Sequence, residues 1–254
     1  KASGWPAKVI VAEQIGEAKK LLKKKNYAGA ESVTSKVLIP RYSQASDMIY
    51  LLKAEALAKS GKVQQAYDTL QLAVLNNPTE LLNADLKKYG KKLGKDAKQI
   101  SADTWALREK KIYDAPDFTL DEYLKPGQSS LKDYRGKVVL LTFWFPGCGP
   151  CRGEFPHFEN ALRKFNKDEV SYVGINVFPE QDEYVVPFMK TTGYTFTPLR
   201  ATNQWAMEVY KVRGQPTNFL IDQNGKIVFA NFRTDGHNER TLQLMIEDVL
   251  ANRK

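Results

Sequence analysis

Apolar residues follow two different rhythms along this chain. From about residue 11 to 93 they return at helical spacing, and from 138 onward they gather into short runs closed by turn residues. In the first stretch Ala18, Leu21, Ala30 and Val37 recur 36 residues later as Ala54, Leu57, Ala66 and Ala73, with Gly61 at the turn between two helices and Pro78 after the second. A further amphipathic helix is predicted over 79–93, carrying Leu81, Leu82, Leu86, Tyr89 and Leu93. Gly94 Lys95 Asp96 ends it, glycine suiting the left-handed residue beyond a helix C-terminus. A last helical piece is placed around Ala102 to Lys111. The second stretch opens on the strand-like Val138–Trp144, and Phe155, Phe158, Leu162 and Phe165 then share one helical face. Val170–Val177 reads as a central parallel strand. Residues 228–232 pair back on 218–222 through the Asn224 Gly225 turn, and 241–251 close the chain as an amphipathic helix.

Length and charge sharpen this division. A chain of 254 residues suggests two domains, read as 1–112 and 113–254 with the boundary before Asp114 Ala115 Pro116. Residues 1–112 hold 21 Lys and Arg against 11 Asp and Glu, whereas 113–254 hold 17 against 18, so the net +9 belongs to the helical part. Lys19, Lys20, Lys23, Lys24, Lys25, Lys87, Lys88, Lys91 and Lys92 supply much of it. A solvated helical face accounts for such lysines, and an anionic protein or membrane surface is the alternative. Nucleic acid is not expected as a partner, because no basic motif interleaved with aromatics accompanies them. No run of 18 apolar residues occurs, so no segment reads as a membrane-spanning helix. The chain opens Lys1 Ala2 Ser3 Gly4 without a methionine. The first residues of the gene product are therefore expected to be missing, and a signal peptide would not be visible.

The chemistry concentrates in Trp144 Phe145 Pro146 Gly147 Cys148 Gly149 Pro150 Cys151, which holds the only two cysteines. Two cysteines cannot make a disulfide framework, nor the four-ligand set of a structural zinc site, so the pair points to redox exchange with no cofactor. Cys148 falls where a strand turns into a helix. Unpaired amides of the first helical turn and the helix dipole favour its thiolate, the reactive form.

These residues and their surroundings resemble thioredoxins, and more closely the exported TlpA/ResA-like thiol-disulfide oxidoreductases of bacteria. The resemblance runs from about Ala115 to the end of the chain. It rests on Ala115–Leu120, on Tyr134–Leu141, on the CxxC stretch and on Gly214 Gln215 Pro216 Thr217 Asn218 Phe219 Leu220 Ile221 Asp222. It implies an α/β thioredoxin-like domain, a central mixed sheet flanked by helices, with 183–192 as the inserted helix of the TlpA-like group. Pro216 resembles the family's cis-proline and Pro156 the proline inside its active-site helix. Two positions depart from the pattern: Gly147 stands where a tryptophan usually precedes the first cysteine, and Thr142 stands where thioredoxin carries a buried aspartate. Glu154, three residues after Cys151, matches the active-site glutamate of ResA-like proteins. The repeat in the first part is similar to a tetratricopeptide helix-turn-helix. Its second unit, about 47–80, keeps Tyr50, Ala54, Ala66, Leu70, Ala73 and Pro78 in register. The first, about 11–44, has Thr34 where a large apolar residue is usual. An N-terminal all-α helical-repeat domain is thus expected, with 79–93 capping the stack.

The resemblance implies a mechanism. Cys148, expected to be exposed, attacks a substrate disulfide and Cys151 resolves the mixed disulfide. Glu154 is either the proton acceptor for Cys151 or a plain partner of the helix dipole. A cis bond at Gln215–Pro216 sets the Gln215 backbone beside Cys148, where with Gly147 it can take an extended substrate segment. His157 reads as a flank residue of the same helix. The partners implied are a protein disulfide or dithiol and an electron-donor protein, in the periplasm or cell envelope, and Gly149 Pro150 leans toward a reductant. Two alternatives are carried. A peroxiredoxin-like peroxidase would need threonine three residues before its cysteine, where Phe145 and Cys148 stand; a non-catalytic helical-repeat scaffold is opposed by the intact CxxC.

Overall fold

A computed structural model describes residues 5–37 and 45–252, so the opening Lys1–Gly4 and the end of the first repeat, 38–44, lie outside the described residues. The chain divides into two compact units, Lys1–Arg108 and Glu109–Lys254. The first holds α1 (Trp5–Lys23), α2 (Tyr27–Lys36), α3 (Ala45–Lys59), α4 (Val63–Asn76), α5 (Glu80–Lys92) and α6 (Ala97–Glu109). From α1 to α5 each helix packs on the next, and α3 also meets α1 and α5. Side-chain caps fix the starts: the Asn26 Oδ1 accepts from the Gly29 amide at 3.0 Å, and the Thr79 Oγ1 accepts from the Leu82 amide at 3.4 Å. Gly94 follows α5 at φ 76°, as expected for the residue beyond a helix end. Ala54, Ala66 and Ala73 are buried between the helices, where small side chains let backbones approach, and Leu57, Leu70, Leu82, Leu86 and Tyr89 fill the core.

α6 begins at Ala97, five residues earlier than the expected 102, because Asp96 and Gln99 form a reciprocal cap. The Gln99 amide donates to Asp96 Oδ1 and the Asp96 amide to Gln99 Oε1, both at 2.8 Å. Three buried polar side chains in this unit serve backbone carbonyls. Thr34 Oγ1 donates to the Ala30 carbonyl at 2.9 Å and Thr104 Oγ1 to the Ile100 carbonyl at 2.8 Å. Arg108, 2% exposed, donates from Nη1 to the Leu75 carbonyl at 2.9 Å and from Nη2 to the Val74 carbonyl at 3.4 Å. It thereby sets a cation at the C-terminal end of α4, where the helix dipole is negative.

The second unit runs β1 (Tyr113–Asp114), β2 (Thr119–Asp121), β3 (Gln128–Ser130), β4 (Val138–Trp144), α7 (Gly149–Leu162), β5 (Val170–Asn176), α8 (Asp182–Thr192), β6 (Thr197–Arg200), α9 (Asn203–Val209), β7 (Thr217–Ile221), β8 (Lys226–Ala230) and α10 (Glu239–Ala251). Six strands form one mixed sheet in the order β1-β8-β7-β4-β5-β6, parallel across β4-β5-β6 and antiparallel elsewhere, while β2 and β3 make a separate ribbon. This is the α/β architecture expected. The hairpin sits slightly earlier than read, with a register slip between Leu220 and Ile221.

β4 is buried along its whole length, and its alternation sorts side chains to two cores. Val139, Leu141 and Phe143 join one core with Phe118, Val173 and Phe219. Val138, Leu140 and Trp144 face the other with Phe155 and Phe158 of α7 and Leu242, Met245 and Ile246 of α10. Thr142 has the parity of this second set, so its hydroxyl points to the side of the sheet that carries α7. Asn218 is its cross-strand partner on β7.

Candidate active site

β4 delivers the chain to the cysteines, and α7 starts with Cys148 as its N-cap. Cys148 Sγ accepts from the Cys151 amide at 3.2 Å. Cys148 and Cys151 are joined as a disulfide. Cys151 is fully buried and Cys148 is 3% exposed, which corrects the expectation of an exposed Cys148. Bonded to a buried partner and capping the first helical turn, its sulfur is drawn into the core with Trp144 and Phe155. Pro156 lies inside α7, removing the amide that would bond to the Arg152 carbonyl.

Gly147, ahead of Cys148, is exposed, and its amide donates to Gln181 Oε1 at 2.7 Å. A Cβ at Gly147 would stand 3.0 Å from that oxygen and 3.2 Å from Gln181 Nε2. The Gln181 amide thus lies close over the residue where the resembled family carries a tryptophan. The Gln215–Pro216 bond is cis, with Pro216 buried and Gln215 half-buried. Thr217 pairs with Phe143, so the two residues before it sit at the end of the sheet where β4 runs into the cysteine turn. The Gln215 Nε2 donates to Asn203 Oδ1 at 3.2 Å.

Glu154 is 3% exposed, which is not the setting of a surface partner for the helix dipole. Its Oε1 accepts from Arg233 Nε at 2.6 Å and from the Thr234 amide at 2.9 Å. Its Oε2 accepts from Asn218 Nδ2 at 2.9 Å. Thr142 Oγ1 donates in turn to Asn218 Oδ1 at 2.7 Å, which orients that amide. Burial pushes the Glu154 carboxyl above the usual range, and the donors from Asn218, Thr234 and Arg233 hold it back. Sequence reasoning connected neither Asn218 nor Arg233 to this carboxylate. The signal for Asn218 was its place two residues after Pro216; for Arg233 there was none. His157 lies on the flank of α7, its Nδ1 2.6 Å from Glu239 Oε1 of α10. Among the described residues no group of three His, Cys, Asp or Glu side chains could hold a metal ion, and no helix is long and apolar enough to cross a membrane.

A mixed sheet whose central strand ends in a cysteine pair at a helix N-terminus, with a cis-proline opening the adjacent antiparallel strand, defines the thioredoxin-like class. Residues 113–230 match the model of the AhpC/TSA family. The thiol-disulfide oxidoreductase ResA of Bacillus subtilis (strain 168) is 37% identical over 115 residues, 45% of this chain and 63% of the relative. ResA of Geobacillus kaustophilus (strain HTA426) is 37% identical over 113 residues, 44% and 64% respectively. The chain thus spans less than two thirds of the length of these curated relatives. Among solved structures, the thioredoxin domain of a thiol-disulfide oxidoreductase from Bacteroides vulgatus is similar with a TM-score of 0.47 and 27% identity, over 53% of this chain and 94% of that one.

Proposed function

We propose that the protein is a thiol-disulfide oxidoreductase acting on protein disulfides in the periplasm or cell envelope, where it serves as a reductant. One observation carries this reading: the chain's only two cysteines meet at the N-terminus of α7, with a buried carboxylate one helical turn beyond. The ResA relatives support it. In the reduced protein the Cys148 thiolate attacks a substrate disulfide, the substrate S–S bond breaks, and its leaving sulfur takes a proton. A mixed disulfide remains. Cys151 then loses its proton to Glu154 and attacks Cys148 Sγ. The second substrate sulfur leaves as a thiol, and the two electrons gained by the substrate come from formation of the Cys148–Cys151 bond. A dithiol protein donor returns the pair to the reduced state. Gly147, Gln215 and Pro216 form the edge on which an extended substrate segment lies.

We assign residues 113–254 to this chemistry. Residues 1–112 we read as a tetratricopeptide-like domain that engages the physiological partner through its helical faces. The test is reduction of insulin disulfides by the full chain beside consumption of hydrogen peroxide. Insulin reduction without peroxide turnover is expected. Peroxide consumption alone would make it a peroxidase, and neither activity would leave a scaffold.

A further inference from the structure

The carboxylate at the site is held from two sides. Arg233, in the loop after β8, and the adjacent Thr234 amide take Glu154 Oε1, while Asn218 of β7 takes Oε2. The Asn218 amide is held at both ends. Its Oδ1 accepts from Thr142, and its Nδ2 also donates to the Phe232 carbonyl at 3.0 Å. A carboxylate offers about four acceptor directions. Three are filled, and the open one lies on Oε2. Glu154 also shares a face of α7 with Cys151, one turn away.

Among the described residues, the other groups around Glu154 add no cation at hydrogen-bond distance. Thr142 on β4 and Asn218 on β7 are neutral. Tyr172 on β5 is a buried phenol that burial, with Glu159 and Glu154 nearby, pushes up, so it stays protonated. Glu239 on α10 is engaged by His157, and the cysteines belong to α7 itself. The cation at hydrogen-bond distance is Arg233, whose side chain is 35% exposed.

We propose that Arg233, working against Asn218, is a positioning residue that holds Glu154 with one acceptor direction open and governs its uptake of the Cys151 proton. This rests on Glu154 being that proton acceptor. The guanidinium favours the charged carboxylate, so its removal makes Glu154 ionise at higher pH, and the resolving step then needs higher pH.

The test is the single-turnover rate of mixed-disulfide resolution against pH, for the full chain and six variants. Arg233→Gln is expected to move the pH midpoint of resolution up by roughly one unit, the low end of the effect of an opposite charge in contact. Arg233→Lys should restore most of that shift, since it keeps the charge. In a Glu154→Gln background, Arg233→Gln should change nothing further. Thr142→Val should move the midpoint less than Arg233→Gln does. Arg233→Met offers an independent reading should Arg233→Gln not fold: it also removes the charge, so the midpoint should again rise by roughly one unit. An unmoved midpoint in Arg233→Gln or Arg233→Met, or an equal shift in both Glu154 backgrounds, would overturn the proposal. A wild-type chain without thiol-disulfide exchange, or a Glu154→Gln profile identical to wild type, would instead sink the underlying assignment and this inference with it.

Discussion

Two sets of buried polar side chains, one in each unit, are used in different ways. In the helical unit Thr34 and Thr104 turn to backbone carbonyls of their own helix, and Arg108 of α6 turns to two carbonyls at the end of α4. In the thioredoxin-like unit Thr142, Asn218, Glu154 and Arg233 bond to one another across β4, β7, α7 and the loop after β8. A buried polar group that completes a helix is explained by the helix. A chain of largely buried side chains drawn from distant parts of the sequence toward a disulfide is not explained by local structure, since apolar residues of similar volume would pack with less desolvation cost. The contrast separates groups retained for stability from groups retained for chemistry, and it can be attacked from either side.

The largest effect is expected at the cysteines. Cys148→Ser should abolish turnover, while Cys151→Ser should trap a covalent mixed disulfide visible by mass spectrometry. Release of substrate by the Cys151→Ser protein at the wild-type rate would reverse the roles. Arg108→Ala should come next, costing the helical unit about 3 kcal/mol by leaving two buried carbonyls of α4 unpaired. Denaturant unfolding measures this, and the rate of insulin reduction should not change below the transition. An equal loss in catalysis would erase the distinction drawn above.

Glu154→Gln should slow the resolving step roughly ten- to a hundredfold and lower the apparent pKa of Cys148, because a negative neighbour has gone. Thiolate absorbance against pH reads the second effect. The same variant tests stability. Because burial raises the Glu154 carboxyl in the folded protein, its favourable contribution is complete below the ordinary carboxyl range and is lost as pH rises through the raised value. Wild-type stability should therefore decline across that interval, and Glu154→Gln should flatten the decline. Thr142→Val is the smallest change, expected to cost about 1 kcal/mol by unpairing Asn218 Oδ1, read as a lowered Tm.

Much of this could be read along the chain. The apolar run of β4, the helical face carrying Phe155 and Phe158, the hairpin around Asn224 Gly225 and the six helices all follow from spacing. Glu154 lies close to the cysteines in sequence, so the resemblance reached it. Arg233 stands 79 residues from Glu154, in a polar turn without periodicity, and only the folded sheet brings the two together. The exposure of Cys148 was misjudged for a related reason: position at a helix start says that amides are free, not what packs over the sulfur. Short elements such as β1, β6 and the seven-residue α9 went unread because they are too brief for a period to emerge.

α7 is fastened to α10 by paired side chains, His157 and Asn160 to Glu239 and Lys164 to Glu247, above a shared apolar seam. During synthesis from the N-terminus the thiols leave the ribosome long before residues 239–251 exist. Until that last helix is made, the cysteine helix has no buttress, and Arg233 and Asn218 have not yet arrived to hold its carboxylate. The nascent chain therefore carries an unsupported dithiol, open to oxidation and to mispairing with other thiols. Docking of α10 supplies that buttress, which ties support of the cysteine helix to a part of this unit made well after it.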